Sequence, residues 1–320
     1  MRVLFVTSTR IGDAVLSSGL LAHLIERHPG ARFTIACGAP AAGLFAAVPG
    51  LERVLPIVKR RHGGHWIDLW RACLGRHWDL VVDLRGSALA WLLRARERRV
   101  LRGDPGATHK VHQLGALLDL DPPPAPRLWS TAEQEAEAAA LIPAGPPVLA
   151  LGPTANWPGK VWPAVRFADL ARRLTGPDGI LPGGRIAVFG GPGEEAMAAE
   201  TVAGLPADRR LDLVGRIDLG TVHACLTRCA LFVGNDSGLM HMAAAAGVPT
   251  LGLFGPSREV HYAPWGPRAA ALRTPDSYDA LVGAPGYDHR TTGSLMGGLA
   301  VDAVAAAAVD LWARTRDAAA

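Results

Sequence analysis

The sequence contains no long uninterrupted apolar segment. The first apolar run, residues 3–6, stops at Thr7 and is soon followed by Arg10 and Asp13. A membrane-spanning helix needs about 20 apolar residues, and a signal-peptide core is also longer than this run. We therefore expect a cytoplasmic protein.

Cysteine is scarce, with four in 320 residues. Cys37 and Cys73 are isolated, whereas Cys225 and Cys229 share an apolar helical pattern with no second pair of ligands nearby. Neither a disulfide framework nor a structural zinc site is indicated, which agrees with a reducing compartment.

Several ligand-binding motifs are also missing. No G-x-G-x-x-G follows the first predicted strand, which argues against an ordinary NAD site. The segment 152–160, G-P-T-A-N-W-P-G-K, ends in a lysine but lacks the full P-loop pattern. The basic residues are not interleaved with aromatic ones and no recognition motif is present, so nucleic acid is a disfavoured partner.

The composition is that of a folded protein, with 49% apolar and 19% charged residues. The net charge of +4 is uneven, because residues 1–145 carry +5 and residues 146–320 carry −1. The basic clusters 59–61 and 94–102 supply much of this excess. They are interpreted as a solvated helix face or, alternatively, as a contact for an acidic substrate or an anionic membrane surface.

Buried-strand patterns alternate with amphipathic helix patterns along the chain, which indicates βαβ units and parallel sheets. The predicted strands are 3–7, 32–36, 80–84, 148–151, 185–189, 231–233 and 250–254. The predicted helices are 14–27, 131–141, 165–175, 194–204, 219–228, 238–246 and, after an irregular stretch at 255–298, a C-terminal helix at 301–316.

Two proline-rich segments, 121–126 and 142–147, interrupt regular structure. They predict an N-terminal domain of residues 1–145 and a C-terminal domain of residues 146–320. The expected fold is therefore α/β, with two Rossmann-like, doubly wound parallel-sheet domains that bind ligands in the cleft between them.

Ligands of such sheets meet the loops that follow the strands. After the first strand, Asp13 is either the N-cap of the next helix or a general base that projects into the cleft, and Gly12 supplies conformational freedom. In the second domain, Lys160 is either solvated or balances phosphate charge. Glu194 and Glu195 either complement a helix dipole or bind ribose hydroxyls.

The segment 234–241, G-N-D-S-G-L-M-H, turns the chain from a strand into a helix. Asp236 or Ser237 can cap that helix, and the following Gly238 leaves backbone N–H groups accessible to an anion such as a diphosphate. The alternative is a satisfied capping turn with His241 in the core.

Taken in order, four motifs resemble glycosyltransferase family 9, which contains the ADP-heptose lipopolysaccharide heptosyltransferases. They are T-S-T-R-I-G-D-A-V, G-P-T-A-N-W-P-G-K-V-W-P, F-G-G-P-G-E-E, and N-D-S-G-L-M-H followed by G-V-P-T-L-G-L-F-G-P-S. The resemblance covers residues 1–267 and the final helix. It implies a GT-B architecture with an N-terminal acceptor domain and a C-terminal domain for the nucleotide-sugar donor.

The resemblance also implies roles for individual residues. Asp13 matches the base that deprotonates the acceptor, Lys160 the lysine that neutralises the donor diphosphate, and Asp236 the acid that holds the transferred sugar. The acceptor contacts are expected at Arg10 and Gly12. Among the expected donor contacts, Glu195 (or Glu194) would bind the ribose and Ile217 the nucleobase. The full set is Thr154, Asn156, Lys160, Glu195, Ile217, Asp236, Ser237, Gly238 and His241.

The reaction implied is an inverting transfer that needs no metal or other cofactor. The one D-x-D, at residues 119–121, is interpreted as surface. The basic N-terminal domain fits a lipid-linked, anionic glycan acceptor and peripheral contact with the inner face of the cytoplasmic membrane. The chain departs from the family at residues 155–157, where Ala, Asn and Trp replace the usual Ser or Thr.

Loop 286–294 has no matching role, and His289 or Arg290 is a candidate for closing over the donor. Two other functions compete with sugar transfer. One is another GT-B enzyme such as a nucleotide-sugar epimerase, and the other is a non-catalytic nucleotide-sugar binding protein. Retention of Asp13, Lys160 and Asp236 together weighs against the latter.

Overall fold

The computed structural model describes residues 1–103, 106 and 108–317. Two compact units divide the chain, the first covering Met1–Thr131 and the second starting at Ala132. Each unit contains a parallel β-sheet with helical connections, as expected from the alternating pattern.

The first unit is built on five strands in the spatial order β3-β2-β1-β4-β5. The strands are β1 (Arg2–Val6), β2 (Arg32–Gly38), β3 (Leu51–Ile57), β4 (Trp78–Asp83) and β5 (Ala95–Val100). The helices are α1 (Ile11–Arg27), α2 (Gly64–Cys73), α3 (Leu89–Leu92) and α4 (Lys110–Ala116), with 3₁₀ turns at Ala39–Phe45 and Arg61–Gly63.

Strand β1 lies at the centre of this sheet because its apolar residues are covered on both faces. Val3 is in register with Phe33 of β2 on one side and with Leu80 of β4 on the other. The direction of winding reverses between β1 and β4, and in sheets of this kind the crevice at the reversal is where ligands bind.

The second unit has six strands in the order β11-β10-β9-β6-β7-β8. The strands are β6 (Val148–Gly152), β7 (Arg185–Val188), β8 (Arg210–Asp212), β9 (Leu231–Asn235), β10 (Thr250–Phe254) and β11 (Ala269–Arg273). The helices are α5 (Ala132–Leu141), α6 (Ala164–Thr175), α7 (Glu195–Ala203), α8 (Leu219–Leu226), α9 (Gly238–Ala245), α10 (Glu259–Tyr262), α11 (Tyr278–Val282) and α12 (Val301–Asp317), with a 3₁₀ turn at Pro158–Lys160.

Winding reverses in this sheet between β6 and β9, where Gly152 pairs with Gly234. A Cβ on Gly152 would collide with the ring of Phe232, and one on Gly234 would meet the same ring and the Gly152 carbonyl. The two glycines therefore allow the strand ends to approach closely at the predicted ligand-binding edge.

The core of the second unit surrounds Trp162, which is fully buried and packs edge-on against Phe167 of α6. Helix α12 buries Val304, Ala308 and Leu311 in this core, at the spacing of one helix face. The predicted C-terminal helix is thus confirmed as part of the second unit.

All seven predicted strands are present, but four others were missed. They are β3, β5, β8 and β11, which lie at or next to the sheet edges and are only partly buried. The basic cluster 94–102 runs along the edge strand β5, so its interpretation as a helix face was wrong.

The division between the units precedes α5, whereas the predicted domain boundary followed it, after residue 145. Helix α5 packs against α8 of the second unit. Gln134 donates to Asp218 at 3.0 Å, and Thr221 donates to Glu137 at 2.8 Å. The proline-rich segment 142–147 is therefore a connection within the second unit.

Among the described residues, no helix combines the length and apolar character needed to cross a membrane.

Candidate active site

The centre of the candidate site is an ion pair at the carboxyl ends of β6 and β9. The 3₁₀ turn after β6 presents Lys160, and the residue directly after β9 is Asp236. Lys160 Nζ lies 2.5 Å from Asp236 Oδ2, and the two side chains are only 19% and 7% exposed. The two residues predicted to face the diphosphate and the sugar are therefore in direct contact.

Asn235, the last residue of β9, holds the Lys160 turn in place. Its Oδ1 accepts a hydrogen bond from the Trp162 backbone N–H at 3.0 Å, and its Nδ2 donates to the Pro153 carbonyl at 2.8 Å. Asn235 is completely buried. Sequence reasoning assigned it no role, although a polar residue at the end of an apolar strand was a signal.

Helix α9 begins at Gly238 with its first N–H groups free of a side-chain cap. Ser237 occupies the N-cap position with an extended backbone, but its side chain makes no capping bond, which corrects the prediction that Asp236 or Ser237 caps the helix. Within the described part of the chain, the buried Ser237 hydroxyl has no hydrogen-bond partner. The helix N-terminus thus retains its capacity for an anion.

His241 lies one turn into α9 and is buried. It follows Gly238 by three residues on α9, as predicted from the sequence. Its role as a donor contact stays a prediction.

A second pair of predicted residues meets at the edge of β6 and β7. Thr154 donates its hydroxyl to Oε2 of Glu194 at 2.6 Å, and the same oxygen accepts the Gly191 backbone N–H at 2.7 Å. Thr154 belongs to the loop that leads to Lys160 and is buried. Its hydrogen bond therefore holds Glu194 beside that loop.

Glu195, the first residue of α7, occupies a different position. Its Oε1 accepts the Gly193 N–H at 3.1 Å. Its own backbone N–H and, to a smaller extent, that of Gly193 lower the pKa of the carboxyl. A Cβ on Gly215 would collide with this carboxylate, so Glu195 reaches the loop that carries the half-buried Ile217. The choice between Glu194 and Glu195 for ribose stays a prediction.

The Trp157 ring lies beside Lys160, and the Tyr287 ring lies beside Trp157. Its Nζ is 6.0 Å from the Trp157 ring centroid, and the Trp157 and Tyr287 rings meet edge-on at 6.2 Å. A Cβ on Gly159 would press against the Trp157 ring, which explains a glycine there. Asn156, another predicted donor contact, is exposed.

Loop 286–294 is anchored next to the Lys160 turn. Ser294 donates to the Val161 carbonyl at 2.6 Å, and the Leu295 N–H donates to the Gly159 carbonyl at 3.0 Å. The side chains of His289 and Arg290 are exposed, and their closure over a donor stays a prediction.

In the first unit, Asp13 is the third residue of α1 and not its N-cap, which is Arg10. Arg10 is exposed and Asp13 half-buried. Among the residues that the structure describes, Asp13 Oδ2 accepts one hydrogen bond, a long one of 3.4 Å from the Ser8 hydroxyl. The capping interpretation was therefore wrong. Gly12 is helical and has no positive φ, so the predicted use of its conformational freedom was also wrong.

Asp83, at the end of β4, organises the neighbouring loop and was also missed. It is buried and accepts the backbone N–H groups of Arg85 and Ser87 at 2.8 and 2.9 Å and the Ser87 hydroxyl at 2.6 Å. Arg85 in turn donates to Thr9 at 3.3 Å. These bonds link the two loops on either side of the winding reversal, next to Asp13.

Within the described ranges, no group of three His, Cys, Asp or Glu side chains is arranged to hold a metal ion. The D-x-D residues Asp119 and Asp121 are exposed, as expected.

Comparisons with known proteins identify the family of this chain. The model of glycosyltransferase family 9 (heptosyltransferase) matches residues 82–281. Lipopolysaccharide heptosyltransferase 1 of Pseudomonas aeruginosa is 31% identical over 80% of this chain and 79% of its own length. Lipopolysaccharide heptosyltransferase 2 of Salmonella typhimurium is 24% identical over 87% of this chain and 89% of its own.

The structure of E. coli ADP-heptose lps heptosyltransferase II superimposes with a TM-score of 0.77 at 20% identity, covering 99% of this chain and all of that one. The two Rossmann-like units thus have the GT-B architecture. The protein is a glycosyltransferase. It belongs to glycosyltransferase family 9.

Proposed function

We propose that this enzyme transfers a heptose from ADP-heptose to the core of a lipopolysaccharide or a similar envelope glycan, with inversion at the anomeric carbon. The observation that carries the proposal is the Lys160–Asp236 pair at the edge of β6 and β9, beside the uncapped N-terminus of α9. The relatives named above supply the identity of donor and acceptor. Family membership favours transfer over an epimerase or a non-catalytic binding protein.

Departure of the nucleoside diphosphate is the step that the second unit would assist. Negative charge develops on the leaving phosphates as the glycosidic C–O bond breaks. Lys160 and the N–H groups at Gly238 supply positive charge in a largely buried setting, where it stabilises the transition state strongly. We propose that these groups take the place of a divalent metal.

Asp236 would have two tasks in this mechanism. Its Oδ2 orients Lys160 through the 2.5 Å contact. Its other oxygen would accept a hydrogen bond from a hydroxyl of the transferred sugar. A donor diphosphate would then share Lys160 with Asp236.

Asp13 would act as the general base. Because its carboxylate accepts one hydrogen bond within the described part of the chain, a long one from Ser8, the group is available to take the proton of the attacking hydroxyl. The neighbouring Arg10 and Gly12 would contact the acceptor. The acceptor is proposed to be anionic and lipid-linked, with the enzyme in the cytoplasm at the inner face of the membrane.

Calorimetric titration with ADP, UDP, GDP and CMP, with and without magnesium, tests the donor. We expect ADP to bind best and magnesium to change its affinity little. Product analysis with ADP-heptose and a heptose-free lipid A precursor then tests the transfer. Preference for UDP or GDP would overturn the assignment of the donor, and hydrolysis or epimerisation without a glycosylated product would overturn transfer.

A further inference from the structure

Five apolar side chains on the first unit form a surface that we call the Trp91 patch. Its members are Ile67, Trp70, Leu74, Trp91 and Leu92. Ile67 is 51% exposed, Trp91 56% and Leu92 64%, so large apolar groups face solvent. Contiguous exposed apolar patches on a folded unit mark sites of interaction with proteins or membranes.

The members of the patch come from two helices and the residue that ends the first of them. Ile67 and Trp70 lie three residues apart on α2, and Leu74 is the extended residue directly after its last residue, Cys73. The Trp70 indole N–H donates to the Leu92 carbonyl at 3.3 Å, and this bond joins α2 to the end of α3.

Arginine side chains surround and fix the exposed indole. The guanidinium groups of Arg102 and Arg98 lie 5.0 and 5.9 Å from the Trp91 ring centroid. Arg98 also donates to the carbonyls of Ala90, Leu93 and Ala95 at 2.7, 2.8 and 2.9 Å. The exposed indole therefore lies beside two cations, one of which is fixed by three backbone carbonyls.

The charge of the surrounding chain is strongly positive. Residues 59–102 contain 11 Lys and Arg against four Asp and Glu, a net +7 that exceeds the +4 of the whole chain. Of the four acids, Asp83 is buried and Glu97 pairs with Arg99. Asp68 pairs with Arg60, and Asp79 accepts the Arg2 backbone N–H.

We propose that the Trp91 patch docks on the surface of a bilayer that carries anionic phospholipid. Indole rings are favoured at the level of lipid headgroups, where their apolar body and polar N–H are both accommodated. Arginines beside them are attracted by the negative surface potential. An alternative explanation of the arginines on β5 is that charges on an edge strand prevent pairing with another chain. That explanation does not account for the exposed Trp91 and Leu92.

The size of the patch favours a bilayer over a protein partner. Five side chains are few compared with the roughly 20–30 residues that each side of a stable protein interface contributes. The Trp91 patch would thus be the surface for the membrane contact that is part of the proposed function. Its binding to a bilayer depends on neither the nucleotide nor the sugar.

Vesicle sedimentation tests the docking surface. Wild-type protein should bind vesicles of equal parts phosphatidylglycerol and phosphatidylcholine, bind pure phosphatidylcholine weakly, and be released by salt. The double variant Trp91→Ser/Leu92→Ser should bind the mixed vesicles about tenfold more weakly or worse, because two large apolar groups no longer enter the interface. Arg94→Ser/Arg96→Ser should lose affinity for the anionic vesicles only.

Matched controls are available elsewhere on the surface. Val165→Ser/Val309→Ser removes two exposed apolar groups from the second unit, and Arg27→Ser/Arg268→Ser removes two exposed arginines. Both should bind vesicles like the wild type. Equal binding by Trp91→Ser/Leu92→Ser and the wild type would overturn the proposal. So would a wild type that ignores vesicles but forms dimers that this variant cannot form, because the patch would then be a protein interface.

Transfer to a soluble, de-acylated acceptor, measured in parallel, separates the two proposals. It should be unchanged in the Trp91→Ser/Leu92→Ser variant. Vesicle binding without any sugar transfer would contradict the proposed function alone.

Discussion

Lys160 and Asp236 are 76 residues apart in the chain, yet their side chains are in contact at 2.5 Å at the point where the second sheet reverses its winding. Because both are largely buried, each depends on the other for compensation of its charge. A diphosphate at this place would meet a lysine that is already oriented.

Replacement of Lys160 by Ala should weaken both ADP binding and transfer. Loss of one positioned charge at a developing anion lowers kcat by about 10²–10³. Calorimetry with ADP and a product assay measure the two effects. Because the change leaves buried Asp236 unpaired, thermal unfolding is compared as well, and Lys160→Arg should recover part of the binding.

Lys110→Ala is the control for that variant, since Lys110 begins α4 in the first unit and contacts only Gln113 among the bonds described. It should bind ADP and transfer sugar like the wild type. Undiminished ADP affinity in folded Lys160→Ala would remove this residue from the donor site.

Asp13→Ala should abolish transfer and leave ADP affinity nearly intact. The variant loses the base that accepts the hydroxyl proton, a contribution of about 10²–10⁴ in rate. Asp13→Asn, which keeps the shape but not the basicity, should behave alike. Ser8→Ala is the control: it removes two long hydrogen bonds of 3.4 Å, one donated to Asp13 and one accepted from the Arg10 backbone N–H, and it should have a small effect. Normal turnover in Asp13→Asn would show that another group takes the proton.

The central strands and the site loops could be predicted from the sequence because their signals are local. Residues 3–6 and 148–151 are continuous apolar runs, as strands covered on both faces require. The edge strand β5 has the sequence A-R-E-R-R-V. Because most of its residues are charged, as is common on edge strands, it lacks the apolar pattern that predicts a strand. Edge strands are therefore the part of this fold that apolar patterns miss.

The roles that could not be predicted are those that depend on distant partners. Asn235 is recognisable as polar, but its function requires Pro153 and Trp162, which lie 82 and 73 residues away. The helix start at Ile11 was placed three residues late, and this error made the first-turn Asp13 resemble a cap. Contacts of this kind follow from the packed fold and not from local spacing.

Asn235→Ala should destabilise the second unit and weaken ADP binding without touching the donor directly. It leaves the Trp162 N–H and the Pro153 carbonyl without their partner, and each buried group left unsatisfied costs about 1–3 kcal/mol. Urea unfolding measures the loss. The exposed Asn156 provides the comparison: Asn156→Ala should unfold like the wild type. Equal stability of the two variants would contradict the supporting role of Asn235.

The ribose contact can be assigned by pairing variants with altered ligands. If Glu195 binds the ribose hydroxyls, wild type should prefer ADP over 2′,3′-dideoxy-ADP by about tenfold or more, and Glu195→Gln should largely lose that preference. Calorimetric affinities for the two ligands give the answer. Glu194→Gln tests the alternative, because Glu194 already bonds Thr154 and Gly191. Loss of the preference in Glu194→Gln alone would move the role to that residue.

Burial of His223 in α8 should make the protein less stable in mild acid. Desolvation lowers the pKa of this imidazole from 6.5 to about 4. Between these values the unfolded chain binds a proton that the folded one does not, so stability falls as the pH decreases from 6.5 towards 4. The effect of a shift of this size is on the order of 3 kcal/mol.

Urea unfolding of wild type and His223→Gln at roughly pH 7 and pH 5 tests this linkage. The wild type should lose more stability on acidification than the variant, whatever their difference at neutral pH. His289→Gln, at an exposed position, should follow the wild type at both pH values. The comparison uses the change in the free energy of unfolding with pH and not its absolute value. A general destabilisation of α8 by the substitution would therefore not produce the same result. Identical pH dependence in wild type and His223→Gln would show that another group carries the acid sensitivity.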